Sequence, residues 1–216
     1  MRQFAIVAAA LAWFGLCSQL YIILAARLAN GASLIGGLVN FLSFFTILTN
    51  TLVALALTLP LLTEATRASR IFAQPTVNTG IAASIVLVSI AYNLLLRHLW
   101  QPQGLQWVAD ELLHDVTPVL FLLYWWLFVP KGLLGWRDIA NWALYPVVYL
   151  FYALIRGALF GLYPYPFIDA GQLGYARVFL NAGGMLIAFI GISTVLVILD
   201  RAKREATLGR GARRIR

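Results

Sequence analysis

Two short stretches carry residues that could do chemistry. "NFLSFFTILTN", residues 40–50, places Asn40, Ser43, Thr46 and Asn50 at intervals of three and four. "ADELLHDVTP" places Asp110 and His114 four apart, with Asp115 next to the imidazole. Residues at these spacings share one face of a helix. A hydroxyl is a weak nucleophile until a neighbouring base takes its proton, and a neutral histidine is the usual base. Ser43 or Thr46 with His114 supplies that pair, and Asp110 or Asp115 could orient the ring as the third group of a triad. Arg156 or Asn93 could stabilise a developing oxyanion. Asn50, Arg177 and Asn181 complete the set of candidate substrate contacts.

The elements that must position these groups are hydrophobic. Of 216 residues, 62% are hydrophobic and 11% charged, and the mean hydropathy is +0.84. Soluble domains are about half apolar and about a quarter charged, so this is the composition of an integral membrane protein. Six apolar runs can be drawn, over 4–26, 40–62, 79–98, 110–129, 139–160 and 175–199. Each is close to the roughly 20 residues a spanning helix needs. The expected fold is all-α: a six-helix transmembrane bundle over 1–200, followed by a basic tail over 201–216. No segment between the runs is large enough for a second domain, and no internal repeat is evident.

Lys/Arg bias sets the expected orientation. With the N-terminus inside, the inner side holds Arg2, Arg67, Arg70, Lys131, Arg137 and the seven basic residues of the last sixteen, which is twelve of the sixteen in the chain. Both termini are then cytoplasmic, in the inner membrane of a bacterium. The basic tail is read as meeting anionic lipid headgroups and not nucleic acid. In this orientation Ser43, Thr46, Asn93, Arg97, His114, Arg156, Arg177 and Asn181 all fall in the outer half, with Ser43 and His114 about one turn inside their helix starts. Arg156 facing lipid would cost a few kcal/mol. A polar cavity lined by this face, with Arg156 paired to Asp110, Asp115 or Asp169, removes that cost.

Alternative chemistries find little footing. The chain has one cysteine, Cys17, and two histidines. No disulfide within the chain can form, and neither a metal nor another cofactor is expected. There is no G-x-S-x-G elbow, HExxH or phosphate loop. His98, Trp125, Trp126, Tyr145, Tyr149 and Tyr152 fit an interfacial or packing role, and Thr49, Thr51 and Ser89 fit helix-to-helix glue. A lipid or small-solute transporter is the rival reading, weakened by the missing repeat and by runs that show no clearly broken half-helix. A purely structural role is the third.

The same residues resemble the androgen-induced family of multispan membrane hydrolases, which cleave fatty acid esters of hydroxy fatty acids, and its bacterial six-span relatives. "NFLSF" is similar to the family's Phe-Leu-Thr-Phe step, which holds its catalytic threonine. "LLHDVTP" resembles the span with the catalytic histidine, and "YPYPFIDAGQLGYARVF" looks like the Tyr-Pro-Phe stretch leading into the last span. The resemblance implies an acyl ester hydrolase in the membrane, with His114 as base and membrane lipids as surroundings. Placed without a gap, the family threonine falls on Ser43, with Thr46 one turn deeper.

Overall fold

The computed structural model describes residues 1–62 and 66–213, with side chains to Lys203. The described residues are almost wholly helical and contain no strand. The helices are α1 (Arg2–Ala29), α2 (Leu34–Phe41), α3 (Phe45–Leu62), α4 (Arg67–Phe72), α5 (Pro75–Ala91), α6 (Leu105–Glu111), α7 (Thr117–Phe128), α8 (Trp136–Phe160), α9 (Ala170–Leu173) and α10 (Tyr175–Arg213). Among the described residues five stretches are long and apolar enough to cross a membrane: Arg2–Ala29, Phe45–Leu62, Pro75–Leu99, Trp136–Phe160 and Tyr175–Lys203. Much of their outer surface is apolar, with Leu94 and Ile187 at least 70% exposed. These helices are compatible with an integral membrane protein.

The expected run over 110–129 is helical too, but its interior is π-helical from Leu112 to Val116 and it carries Asp110, Glu111, His114 and Asp115. Those polar groups take it out of the set that is apolar enough to cross. α10 passes the expected tail boundary at 200 and continues to Arg213. The basic side chains from Arg204 onward lie outside the described ones.

The chain forms two compact units. The first comprises Met1–Ala73 and Ser84–Leu127, the second Gln74–Ala83 and the chain from Phe128 onward, so α5 contributes to both. In the first unit α1 packs against α3, α6 and the turn Leu112–Val116, and the small side chains Ala5, Ala8, Ala9, Ala12, Gly15 and Ser18 are buried along it. Small residues let helix backbones approach closely, which is how membrane helices gain dispersion energy without a hydrophobic driving force. A β-carbon on Gly15 would stand 3.1 Å from Leu112 Cβ. Trp13 Nε1 donates to Thr58 Oγ1 at 3.1 Å and Gln106 Nε2 to Gln19 Oε1 at 2.8 Å.

In the second unit α8 and α10 run antiparallel. The start of α5 sits on α8 at Gly80, where a β-carbon would meet the Trp142 ring at 2.6 Å. α8 ends at Gly161, in the left-handed region at φ 67°, a conformation glycine adopts without steric cost.

Candidate active site

The segment Phe41–Asn50 does not continue one helix. α2 stops at Phe41 and α3 starts at Phe45, so the span expected over 40–62 is broken just where Ser43 lies. The Ser43 hydroxyl lies 2.8 Å from the carbonyl of Val39 and 2.7 Å from that of Asn40, so it can donate to either. A serine that offers its own donor to these carbonyls competes with the helix ladder, and here it closes the end of α2. Ser43 is fully buried, Asn50 likewise, and Thr46 nearly so.

The His114 segment is irregular for a different reason. The N–H of Thr117 reaches back five residues to the Leu112 carbonyl. The Leu113 carbonyl thereby loses its α-helical donor, and the residue five ahead of it is Pro118, which has no N–H. Asn50 Nδ2 fills the vacancy, donating to Leu113 O at 3.0 Å as well as to Thr46 O at 2.9 Å. A side chain of α3 thus completes the π-turn adjoining His114. Phe41, Ile47 and Leu113 share one buried apolar cluster with Ala12, Leu16 and Ala54, so the residues flanking Ser43 and Thr46 and the residue preceding His114 pack together. Replacing Asn50 by Leu should leave the Leu113 carbonyl unpaired and cost about 1–3 kcal/mol, read as a lower melting temperature of the purified protein.

The imidazole is fixed from two directions. His114 Nδ1 lies 2.9 Å from the Asp110 carbonyl and 3.3 Å from Asp110 Oδ1. The ring stacks on Tyr92, with centroids 3.8 Å apart and planes within 15°. The Tyr92 hydroxyl donates to Asp110 Oδ2. Tyr92 and Asp110 are both buried, and the His114 side chain is 13% exposed. With Nδ1 turned to two oxygens, its proton belongs there, and the lone pair falls on Nε2. Of the two candidate orienting carboxylates, Asp110 is therefore the one against the ring. Asp115 faces away, accepting from Asn93 Nδ2 at 2.8 Å and from Arg97, which also pairs with Glu111 at 3.1 Å.

Tyr92 belongs to a second π-turn, Tyr92–Leu96, closed by the Arg97 N–H on the Tyr92 carbonyl. Five residues per hydrogen-bonded turn put Tyr92 and Arg97 on the same side, and the guanidinium lies over the tyrosine ring at 5.3 Å. The α-helical stripe Ser89, Asn93, Arg97 omits Tyr92 because it assumes the ordinary period. Two π-turns, each a feature found disproportionately at functional sites, thus hold the Tyr92–Asp110–His114 group.

The second unit holds the remaining candidates. Arg156 is buried and donates through Nη1 to the carbonyl of Leu162 at 2.5 Å. Asn181 Nδ2 donates to Phe167 O at 2.8 Å. Both side chains hold the connection between α8 and α10, whose Tyr163 ring also fills the space beside Gly157. Asp169 accepts from the N–H groups of Gly171 and Gln172 as the cap of α9. The carboxylates expected to pair with Arg156 therefore have these other partners. Arg177 is exposed, as are Asn93 and His98. Trp125 is buried and packs inside the first unit, whereas Trp126 is exposed. Thr51 bonds back to Ile47 O at 2.8 Å within its own helix. Among the described residues no cluster of His, Cys, Asp and Glu could hold a metal ion.

No family model, curated protein or solved structure matches the chain.

Proposed function

We propose that the chain is a membrane-embedded acyl ester hydrolase, with His114 as general base, Asp110 as the group that orients it, and Ser43 or Thr46 as nucleophile. The observation that carries this reading is the placement of His114 Nδ1 on Asp110, 2.9 Å from its carbonyl and 3.3 Å from Oδ1, which leaves Nε2 as the ring nitrogen able to accept a proton. The Asn50 bond to Leu113 and the shared packing of Phe41, Ile47 and Leu113 support pairing the hydroxyl segment with the imidazole.

Nε2 takes the hydroxyl proton as the oxygen attacks the ester carbonyl, and the imidazolium returns it to the leaving alcohol; water then releases the acyl group by the reverse path. Asn93, exposed and hydrogen-bonded to Ser89 and Asp115, is the side chain free to exchange a bond for the developing oxyanion. The Arg156 and Asn181 bonds to loop carbonyls favour a supporting role for those two. The substrates are fatty acid esters of hydroxy fatty acids or similar acyl esters, presented by the lipid bilayer. A fluorophosphonate probe, which traps activated hydroxyl nucleophiles, tests the reading: labelling that depends on His114 supports it.

The transporter reading gains one specific observation. The span over 40–62 is broken at Leu42–Phe44, and transporters build substrate sites from discontinuous helices. Solute uptake by vesicles without probe labelling would favour it.

The proposed setting is the inner membrane of a bacterium, with six spans, the run over 110–129 crossing in spite of the polar groups it carries, both termini in the cytoplasm and the basic tail on anionic headgroups. Gln172, exposed in the α8–α10 connection, then lies outside. A Gln172→Cys probe in a Cys17→Ser background should react with an impermeant maleimide added from the outer side. Reaction only from the cytoplasmic side would reverse the orientation.

A further inference from the structure

The proposed reaction uses His114 and Asp110 and gives Tyr92 no part, yet Tyr92 touches both. Its ring stacks on the imidazole, with centroids 3.8 Å apart and planes within 15°. Its hydroxyl donates to Asp110 Oδ2, while Asp110 Oδ1 lies 3.3 Å from His114 Nδ1. Tyr92 and Asp110 are each only 4% exposed, so water does not compete for these contacts. The three side chains close a loop: imidazole to carboxylate, carboxylate to hydroxyl, and aromatic face back to imidazole.

The backbone builds this placement. In an unbroken α-helix Tyr92 would share its face with Leu95 and Leu96. The π-turn Tyr92–Leu96 puts it with Arg97 instead. The Arg97 guanidinium lies over the tyrosine ring at 5.3 Å and is itself held by Glu111 at 3.1 Å and by Asp115. Both carboxylates belong to the segment that carries His114. The tyrosine ring is thus braced by a cation anchored on the same segment as the base it stacks on.

Two consequences follow from the chemistry of the groups. A buried carboxylate oxygen left without a donor costs free energy, and Oδ2 has its donor in the Tyr92 hydroxyl. Without that hydroxyl the carboxylate gains by turning toward another donor, and Oδ1 then leaves Nδ1. The face of an aromatic ring also attracts a cation. The stack therefore strengthens when the imidazole becomes an imidazolium, and an interaction that strengthens only toward the transition state raises kcat.

We propose that Tyr92 is a positioning residue of the base: its hydroxyl holds the Asp110 carboxylate on Nδ1, and its ring fixes the plane of the imidazole and stabilises the imidazolium. This role rests on the reading of His114 as general base, but its geometric part is testable without turnover.

The first measurement is NMR of the full-length protein in lipid nanodiscs with 13C,15N-labelled histidine. The chain has two histidines, and His98→Ala assigns their ring signals. In the wild type the His114 ring protons should lie upfield of those of His98, because they sit over an aromatic face. Tyr92→Leu should abolish that displacement. Tyr92→Phe keeps the ring but should still move the Nδ1 resonance, through Asp110. The second measurement is steady-state hydrolysis of a chromogenic acyl ester. Tyr92→Phe should lower kcat by about tenfold with KM changed less than about twofold, the pattern of an interaction made in the transition state. Tyr92→Phe/Asp110→Asn should be within about twofold of Asp110→Asn alone, because the hydroxyl acts through the carboxylate.

A wild-type His114 ring with no upfield displacement would overturn the proposal, and this comparison needs no substitution that could misfold. A His114 spectrum unchanged in Tyr92→Phe would overturn it too, as would losses that multiply in the double variant. If the wild type turns over no ester, the hydrolase reading falls, and the spectra of wild type and Tyr92→Phe still decide whether Tyr92 positions the ring.

Discussion

His114→Ala should remove ester hydrolysis and probe labelling together, a loss on the order of a thousandfold or more, while the protein still folds. The size follows from the role. A positioned general base contributes about 10²–10⁴-fold, and when nucleophile and base act as one unit, removing the base costs nearly as much as removing both. The fold should survive because the ring is partly exposed at 13% and its main partners, Tyr92 and Asp110, bond to each other independently of it. His98→Ala supplies the comparison: His98 is exposed, and its loss should change turnover by less than twofold. Steady-state hydrolysis of a chromogenic acyl ester by the purified variants checks both. Full turnover in His114→Ala would remove the base, and loss in His98→Ala alone would move the site.

Asp110→Asn should lower turnover by about ten- to a hundredfold, less than the roughly 10⁴-fold fall when a triad carboxylate alone sets the tautomer. The reason is geometric. The Asp110 main-chain carbonyl, 2.9 Å from Nδ1, still holds the proton on that nitrogen after the substitution. What is lost is the negative charge that stabilises the imidazolium in the transition state. Asp115→Asn should instead loosen Arg97 and Asn93, with a smaller effect on turnover. Equal effects of the two substitutions would contradict the division of roles between them. Burst and steady-state kinetics on both variants, with circular dichroism as the folding control, make the comparison.

Much of this was legible in the sequence, and the rest was hidden for identifiable reasons. The apolar runs located the long helices, since composition over twenty residues decides membrane crossing. The four-residue step from Asp110 to His114 placed carboxylate and ring together because that spacing survives a change of helical period: the backbone still brings Nδ1 onto Asp110. Tyr92 was hidden by the same change of period. One extra residue in the turn moves Tyr92 onto the face of Arg97 and against His114, and no residue type announces it. Pro118 was the available signal for the other π-turn, since a proline inside a helix leaves carbonyls without donors. The break at Ser43 was hidden because serine is tolerated inside apolar helices, and only its two candidate acceptors, Val39 O and Asn40 O, show that it ends one. Arg156 read from the sequence as a substrate ligand because a buried guanidinium demands partners. A loop carbonyl six residues ahead satisfies part of that demand, and no periodicity reports a bond to a loop.

The account turns on whether a hydroxyl in the stretch 43–46 is made nucleophilic by His114. The most direct measurement is to label the purified protein with a fluorophosphonate and locate the adduct by mass spectrometry, in wild type and in His114→Ala. The expected result is a single adduct on Ser43 or Thr46 in the wild type and none in the variant. An adduct elsewhere, an adduct undiminished in His114→Ala, or no adduct from a protein that still hydrolyses acyl esters would contradict it.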